Sequence, residues 1–262
     1  MLSLPRQAVI SPLVGFLCVL SVGWLQFPQL QSLIRSKEDV AVEALEREVN
    51  REKNRLNFFQ RIPNFGHGNL IANWIFIGYL QYFGDAEARD QTGYHLAPEY
   101  FEAIVRHDPR FVDAYLYLST GSSMYAGMPE RTIEIMERGL QSLSPGVPKR
   151  SYFVWRFKGI DELLFLGDTK AAENSFATAA AWASKFTDER SQSVAAISQR
   201  TAEFLRENPD SKNAQISAWT MVLNSQSDER TRERAIREIE ALGGKIVSTP
   251  EGNMIQFPPS DE

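Results

Sequence analysis

The side chains that could do chemistry are few. His67, His95 and His107 are the only histidines, and no two stand four residues apart, the spacing that brings two imidazoles to one zinc ion on a helix. His67 sits in the turn "GHGN" with no carboxylate pair beside it. That turn imitates the start of a dinucleotide-binding fingerprint, but no strand precedes it and no third glycine follows. The hydroxyl-rich stretch "STGSSMYAG", residues 119–127, lacks the strand-to-helix elbow that presents a nucleophilic serine, and small residues of this kind also mark close helix packing. Asp161, Glu162 and Asp168 are neighbours in sequence only. A glycosidase needs two acids across a cleft, and carboxylates at helix turns serve as caps. No phosphate-cradling lysine loop occurs, and Cys18, the single cysteine, can form neither an internal disulfide nor a thiolate metal cluster. No catalytic residue, cofactor or metal is expected.

Attention therefore turns to the elements that would present a binding surface. The 262 residues, 43% hydrophobic and 23% charged, are enough to bury a core, and a net charge of −5 argues against bulk attraction to nucleic acid. Residues 8–27, "AVISPLVGFLCVLSVGWLQF", run for about twenty positions without a charge, the length that crosses a bilayer as a helix, with Trp24 where an aromatic belt belongs. A cleavable signal would have a shorter apolar region and a small-x-small exit, whereas "VGWLQFPQLQS" is bulky there. Leu17 likewise does not suit lipidation of Cys18. The reading is an uncleaved anchor within residues 1–35, with a cleaved signal and a buried helix as alternatives. Arg6 precedes the span and Arg35, Lys37 and Arg47 follow it, so basic residues do not favour a cytoplasmic N-terminus. A signal anchor, in contrast, favours a large domain on the extracytoplasmic or lumenal side of a plasma or thylakoid membrane.

Residues 36–62 contain neither glycine nor proline and are rich in Glu, Arg and Lys, which predicts a charged helical stalk that would reach roughly 40 Å from the membrane. Val42, Leu45, Val49, Leu56 and Phe59 fall on three- and four-residue steps, interrupted by Glu52. Two to three heptads are short for a coiled coil, so the seam is read first as packing along its own domain and second as a homodimer contact. A Pro, Asn and Gly turn follows at residues 62–70, with Asn69 as the expected cap of the next helix.

Trp74, Ile77 and Gly78 then stand at the spacing W-x2-L-G, and Ala97, Phe101 and Pro109 supply the small residue, large residue and terminating proline of a return helix, with "EARDQTG" as an insertion. Asp108-Pro109 ends that helix, since the residue before a proline disfavours the helical conformation. A second unit has Tyr115 and Leu118, a turn at Gly127 and Pro129, inward-facing Ile133, Met136 and Leu140, and Pro145; there Ser119 and Ser122 depart from the usual residues. A third has Trp155, Gly159, the turn Gly167-Asp168, and Ala172, Phe176 and Ala179. These units, residues 69–184, resemble tetratricopeptide repeats (TPR), in which large residues wedge between paired helices and small ones permit close approach. The resemblance implies an all-α chain, a TPR-like right-handed α-solenoid of three helix pairs. Residues 185–244 are read as a divergent helical repeat with capping helices, and residues 245–262 as a short hairpin and tail.

In that register Phe76, Tyr79, Tyr82 and Phe83 lie on or beside the inner face of the first helix, with Tyr117 and Met124 from the second unit. Arg150, Arg156 and Lys158 give the groove a basic end. Aromatic anchors with a basic end suit an extended peptide or helix carrying an acidic group. The Lys and Asn of repeat proteins that clamp chaperone tails are replaced on this face by Ile75 and Tyr79, which argues against that partner. "NWIFIGYLQYFGD" and "VWRFKGIDELLFLGD" resemble membrane-associated repeat proteins of cyanobacteria, which implies assembly or maintenance of a photosynthetic or other membrane complex. The sequence thus reads as a non-catalytic membrane-anchored adaptor for a protein partner. Two competing readings are an envelope hydrolase using the groove as a cleft, with Asp161, Glu162 or a histidine as catalyst, and a structural homodimer through the stalk.

Overall fold

Carboxylate caps, prolines and glycines cut the described part of the chain into eleven α-helices and one hairpin. The computed structural model describes residues 21, 22, 24, 26, 27, 42–210, 212–224, 229–249 and 252–258. Most of the expected anchor, residues 8–27, lies outside them, and among the described residues no helix is long and apolar enough to cross a membrane. The chain divides into two compact units, Met1–Arg47 and Glu48–Glu262.

The helices are α1 (Val42–Arg61), α2 (Gly68–Gly84), α3 (Ala86–Thr92), α4 (Ala97–His107), α5 (Val112–Leu118), α6 (Pro129–Leu140), α7 (Tyr152–Asp161), α8 (Thr169–Ala183), α9 (Glu189–Glu207), α10 (Lys212–Asn224) and α11 (Glu229–Ala241). Asp85, Asp168 and Asp188 start α3, α8 and α9 by accepting from the backbone N–H groups of Ala88, Ala171 and Ser191 at 3.2, 2.8 and 3.1 Å. Pro98 and Pro129 occupy the first turns of α4 and α6, where a missing N–H costs nothing. Two helices do not stop where their α-helical pattern ends. Ser119–Tyr125 prolongs α5, and Glu162–Leu166 prolongs α7, as wider π-helical turns.

Packing follows chain order. Helix α2 lies against α4, α5 with its π-helical turn against α6, α7 against α8, and α8 against α9; α4 also meets α6, and α5 meets α7. Two close approaches set the spacing. The Tyr79 hydroxyl occupies the space a side chain at Gly121 would need, and the Tyr115 hydroxyl does the same at Gly139. In the third pair Gly159 admits the Phe176 ring of α8, as the repeat pattern expects. Ala97, Phe101, Tyr115, Leu118, Met136, Ala172, Phe176 and Ala179 are all buried as expected.

The segment read as an insertion forms a capped helix of its own, α3. Other expectations are corrected. Helix α2 begins at Gly68 rather than after Asn69, with His67 at the cap position and no side-chain cap, because α2 starts against the backbone carbonyl of His107, where only glycine fits. Trp74 and Ile77 do not wedge between paired helices; they are 67% and 52% exposed, and Ile75 and Tyr79 fill the core instead. The reason is positional. Tyr115 and Trp155, at the corresponding places in later units, have neighbouring elements over them, whereas Trp74 and Ile77 border an open recess beside Arg55, Leu56 and Phe59 of α1. From Glu48 onward α1 is not a free stalk. Leu56 is 1% exposed and Val49 and Phe59 pack partly buried on the core, so these three seam residues face their own domain. The side chains of Val42 and Leu45 lie outside the described set.

The C-terminal pair does not simply extend the stack. Helix α10 packs on both π-helical turns, with Trp219 edge-on to Phe165 at 5.6 Å, and Arg234 of α11 donates to the Gly127 carbonyl at 2.6 Å and pairs with Glu130 at 2.6 Å. Ile216, Trp219, Val222 and Leu223 form the apolar face that makes this fold-back favourable. The predicted hairpin is present: β1 (Lys245–Thr249) and β2 (Gly252–Gln256) run antiparallel, Ile246 opposite Ile255.

Candidate functional site

The aromatic residues expected to line one groove separate into two populations. Tyr79 and Tyr82 are 1% and 8% exposed, which makes them interior residues. The Tyr79 ring stacks edge-on to Phe101 at 4.5 Å and its hydroxyl donates to the Tyr117 carbonyl at 3.3 Å. The Tyr82 hydroxyl donates to the Gly93 carbonyl and accepts from the Leu96 N–H, both at 3.2 Å, tying the loop before α4 to α2. Burial pushes the Tyr82 hydroxyl up to about 12 and raises that of Tyr79 further, so both stay protonated donors. The polar face of their helix, Asn69, Asn73 and Gln81, is turned outward, and Tyr79 and Tyr82 are core residues rather than the contact residues expected.

Phe76, Phe83, Tyr117 and Met124 remain accessible. Tyr117 is 41% exposed, and the other three are half-buried. Phe76 meets Tyr117 and Phe111 edge-on, each at 5.1 Å, and Phe83 meets Tyr125 at 4.9 Å. Helices α2 and α5 thus share a row of aromatic edges with one side open. Its anchors are held in place by neighbouring rings, which lowers the entropy cost of binding.

The three basic residues expected at one end of this row go to three places. Arg150 is exposed in the turn before α7, at a left-handed φ of 71°, a strained backbone for a residue with a side chain. Arg156 donates to Ser198 at 3.2 Å and lies over the Phe176 ring, 5.9 Å from its centre, so it staples α7 to α8 and α9. Lys158 is 7% exposed and bonds to Glu162, with Glu137 at 3.3 Å. The three positions lie within nine residues of sequence, but the helix that carries two of them is packed on several sides, so nearness in sequence does not make a cluster.

Lys158 belongs to a polar interior that sequence reasoning missed. Asp161 is fully buried and accepts from Ser119 at 2.7 Å and from Ser123 at 2.9 Å. Glu162, 3% exposed, accepts from Lys158 on one oxygen and from Ser175 at 2.6 Å on the other. The two π-helical turns flank these carboxylates. Desolvation pushes Asp161 up to about 7, opposed by the two serine hydroxyls and reinforced by the neighbouring Glu162 charge. The residues resemble an acid with hydroxyl partners, but enclosure denies a substrate any approach, and the geometry makes this cluster a fastener between α5, α7 and α8. A signal for it existed: Ser119 takes the place held by Gly78 and Gly159 in the other units, and Ser123 follows four residues later on the same face.

The histidines are dispersed. His107 donates to the Phe59 carbonyl at 2.7 Å, His95 contacts the Thr92 carbonyl at 3.0 Å, and His67 is exposed at the start of α2. No protein-family model, no curated protein and no solved structure matches this chain.

Proposed function

We propose that the chain is a non-catalytic scaffold of TPR-like helix pairs, a right-handed α-solenoid anchored by residues 8–27, that holds a protein partner at a membrane. The observation that carries the reading is the open row of aromatic edges Phe76, Phe83 and Tyr117 on α2 and α5, with the half-buried Met124 on the π-helical turn that follows, held by helix pairs whose glycine and large-residue positions recur. Such rigid, half-buried rings are the residue types that dominate binding at protein interfaces. The acids offered for a hydrolase are enclosed, and Leu56 of the homodimer seam is spent on its own core, so the adaptor is the better-supported reading. The placement of the domain outside the cytoplasm, and a role in assembling or maintaining a photosynthetic or other membrane complex, rest on the anchor and on the cyanobacterial resemblance.

The test is affinity capture of the tagged full-length protein from membranes, read by mass spectrometry, beside a Tyr117→Ala/Met124→Ala variant. Both residues are accessible, so the variant should fold. A partner lost from the folded variant is the expected result; a full set of partners retained by it rules this face out. Protection of the domain from protease added to sealed vesicles, and its loss on lysis, checks the orientation.

A further inference from the structure

A second surface has a different chemistry. A cleft of about 610 Å³ opens between the C-terminal ends of α1, α4 and α6, lined by Gln60, Arg61, Glu102, Arg106, Arg138 and Gln141, with Val105 and Pro109 as its apolar floor. Arg61, Arg106 and Arg138 are exposed, and none makes a side-chain hydrogen bond or ion pair among the described residues. Three other arginines of this acidic chain do find carboxylates: Arg131 pairs with Glu99, Arg206 with Glu173 and Arg234 with Glu130. The one carboxylate of the cleft is already engaged, since Glu102 accepts from Arg131 at 3.2 Å and from Gln60 at 3.4 Å.

We propose that this cleft binds an acidic segment of a partner polypeptide, an inference that rests on the adaptor reading but uses a separate face. A basic residue in the last turn of a helix complements the helix dipole, and that accounts for one arginine per helix. It does not account for three helix ends opening on one cleft with all three guanidiniums unpaired. The ends that meet here are C-termini, whose carbonyls carry partial negative charge, so they repel a compact, highly charged anion such as phosphate, which is held by helix N-termini. Carboxylates spread along a peptide avoid that repulsion and present the planar shape that a guanidinium fork matches. Gln60, Gln141 and Ser142 supply donors and acceptors for the peptide backbone, and Val105 and Pro109 accept the apolar parts of its side chains.

Fluorescence anisotropy with the detergent-solubilised full-length protein tests this, using a labelled Glu-Ser-Gly peptide and a counterpart with Lys for Glu. Binding of the acidic peptide alone is expected, weakened about tenfold or more by Arg106→Gln/Arg138→Gln, which alters only exposed side chains. Glu102→Gln, which removes the one negative charge of the cleft, should tighten binding about threefold, a gain that a merely structural role would not give. Tyr117→Ala should leave this affinity unchanged, so failure of the aromatic face and failure of the cleft are read separately. Equal binding by the arginine variant, equal binding of the lysine peptide, or tighter binding of inorganic pyrophosphate than of the acidic peptide each overturns the proposal.

Discussion

The interior between α2 and α4 and the interior shared by α5, α7 and α8 solve the same packing problem by opposite means. The first is aromatic: Tyr79, Tyr82, Tyr100 and Phe101 meet at centroid distances of 4.5 to 5.8 Å, and the tyrosine hydroxyls are spent on backbone carbonyls or, for Tyr100, on Glu52. The second holds two carboxylates, an ammonium and three serine hydroxyls in the space between helices. Rings tolerate small shifts of one helix against another, because dispersion is non-directional. Hydrogen-bonded carboxylates do not, so the polar interior fixes one register of α5 on α7 where the apolar surfaces alone would permit others.

The largest effect should come from emptying the aromatic interior. Tyr79→Ala removes a fully buried ring and should destabilise the protein by about 4 kcal/mol, measured by denaturant unfolding, whereas Tyr79→Phe keeps the ring, loses one 3.3 Å hydrogen bond and should cost about 1 kcal/mol. A ratio near one would show that the hydroxyl rather than the ring holds α2 in place. Next in size, Lys158→Met leaves Glu162 buried with Ser175 as its main partner and should cost about 3 kcal/mol at neutral pH. Adding Glu162→Gln, which removes the stranded charge, should recover part of that loss; no recovery would mean that Lys158 acts through packing alone.

The polar interior also predicts a pH dependence that the aromatic one does not. Asp161 is pushed from an ordinary 3.8 to about 7, so between about pH 4 and pH 7 the folded state holds a proton that the unfolded chain has released. Its contribution to stability is full below about pH 4 and is lost as pH rises through about 7. Asp161→Asn should therefore flatten the slope of unfolding free energy over that window while Tyr79→Phe leaves it intact. A slope unchanged in the Asn variant would assign the dependence to other groups.

Much of the fold was legible because its signals are local. Asp168 beside Gly167, Pro129 after Gly127, and Gly159 opposite Phe176 each specify a turn or a close approach within a few tens of residues. The hairpin around residues 245–256 was legible from its alternation. What was not legible is what depends on distant partners. Helix α2 has only Asn69, Asn73 and Gln81 as polar side chains; the face they share with Ile77 is exposed and Tyr79 lies opposite, but three amides are a weak signal beside the W-x2-L-G pattern that pointed Trp74 inward. Arg150, Arg156 and Lys158 look like one cluster in sequence, yet α6, α8 and α9 divide them. The folding of α10 and α11 onto the π-helical turns spans more than a hundred residues, as from Arg234 to Gly127, and no local pattern announces it.

The smallest expected effect is a gain, and it tests whether the polar interior is optimised or only tolerated. Ser122 is fully buried on the π-helical turn that also carries Ser119 and Ser123, but its hydroxyl has no hydrogen-bond partner among the described residues, whereas theirs bind Asp161. The wider turn aims two of three hydroxyls at the carboxylate and leaves the third buried without one. Removing an unsatisfied buried hydroxyl removes its desolvation penalty and leaves only a methyl-sized volume to fill, so Ser122→Ala should raise stability by about 1 kcal/mol, read as a shift of the denaturation midpoint at unchanged slope. Ser123→Ala, at the same depth and of the same size, should lower stability, because it takes a 2.9 Å donor from Asp161. Equal losses from both variants would show that Ser122 also has a partner, and the contrast drawn within this turn would fail.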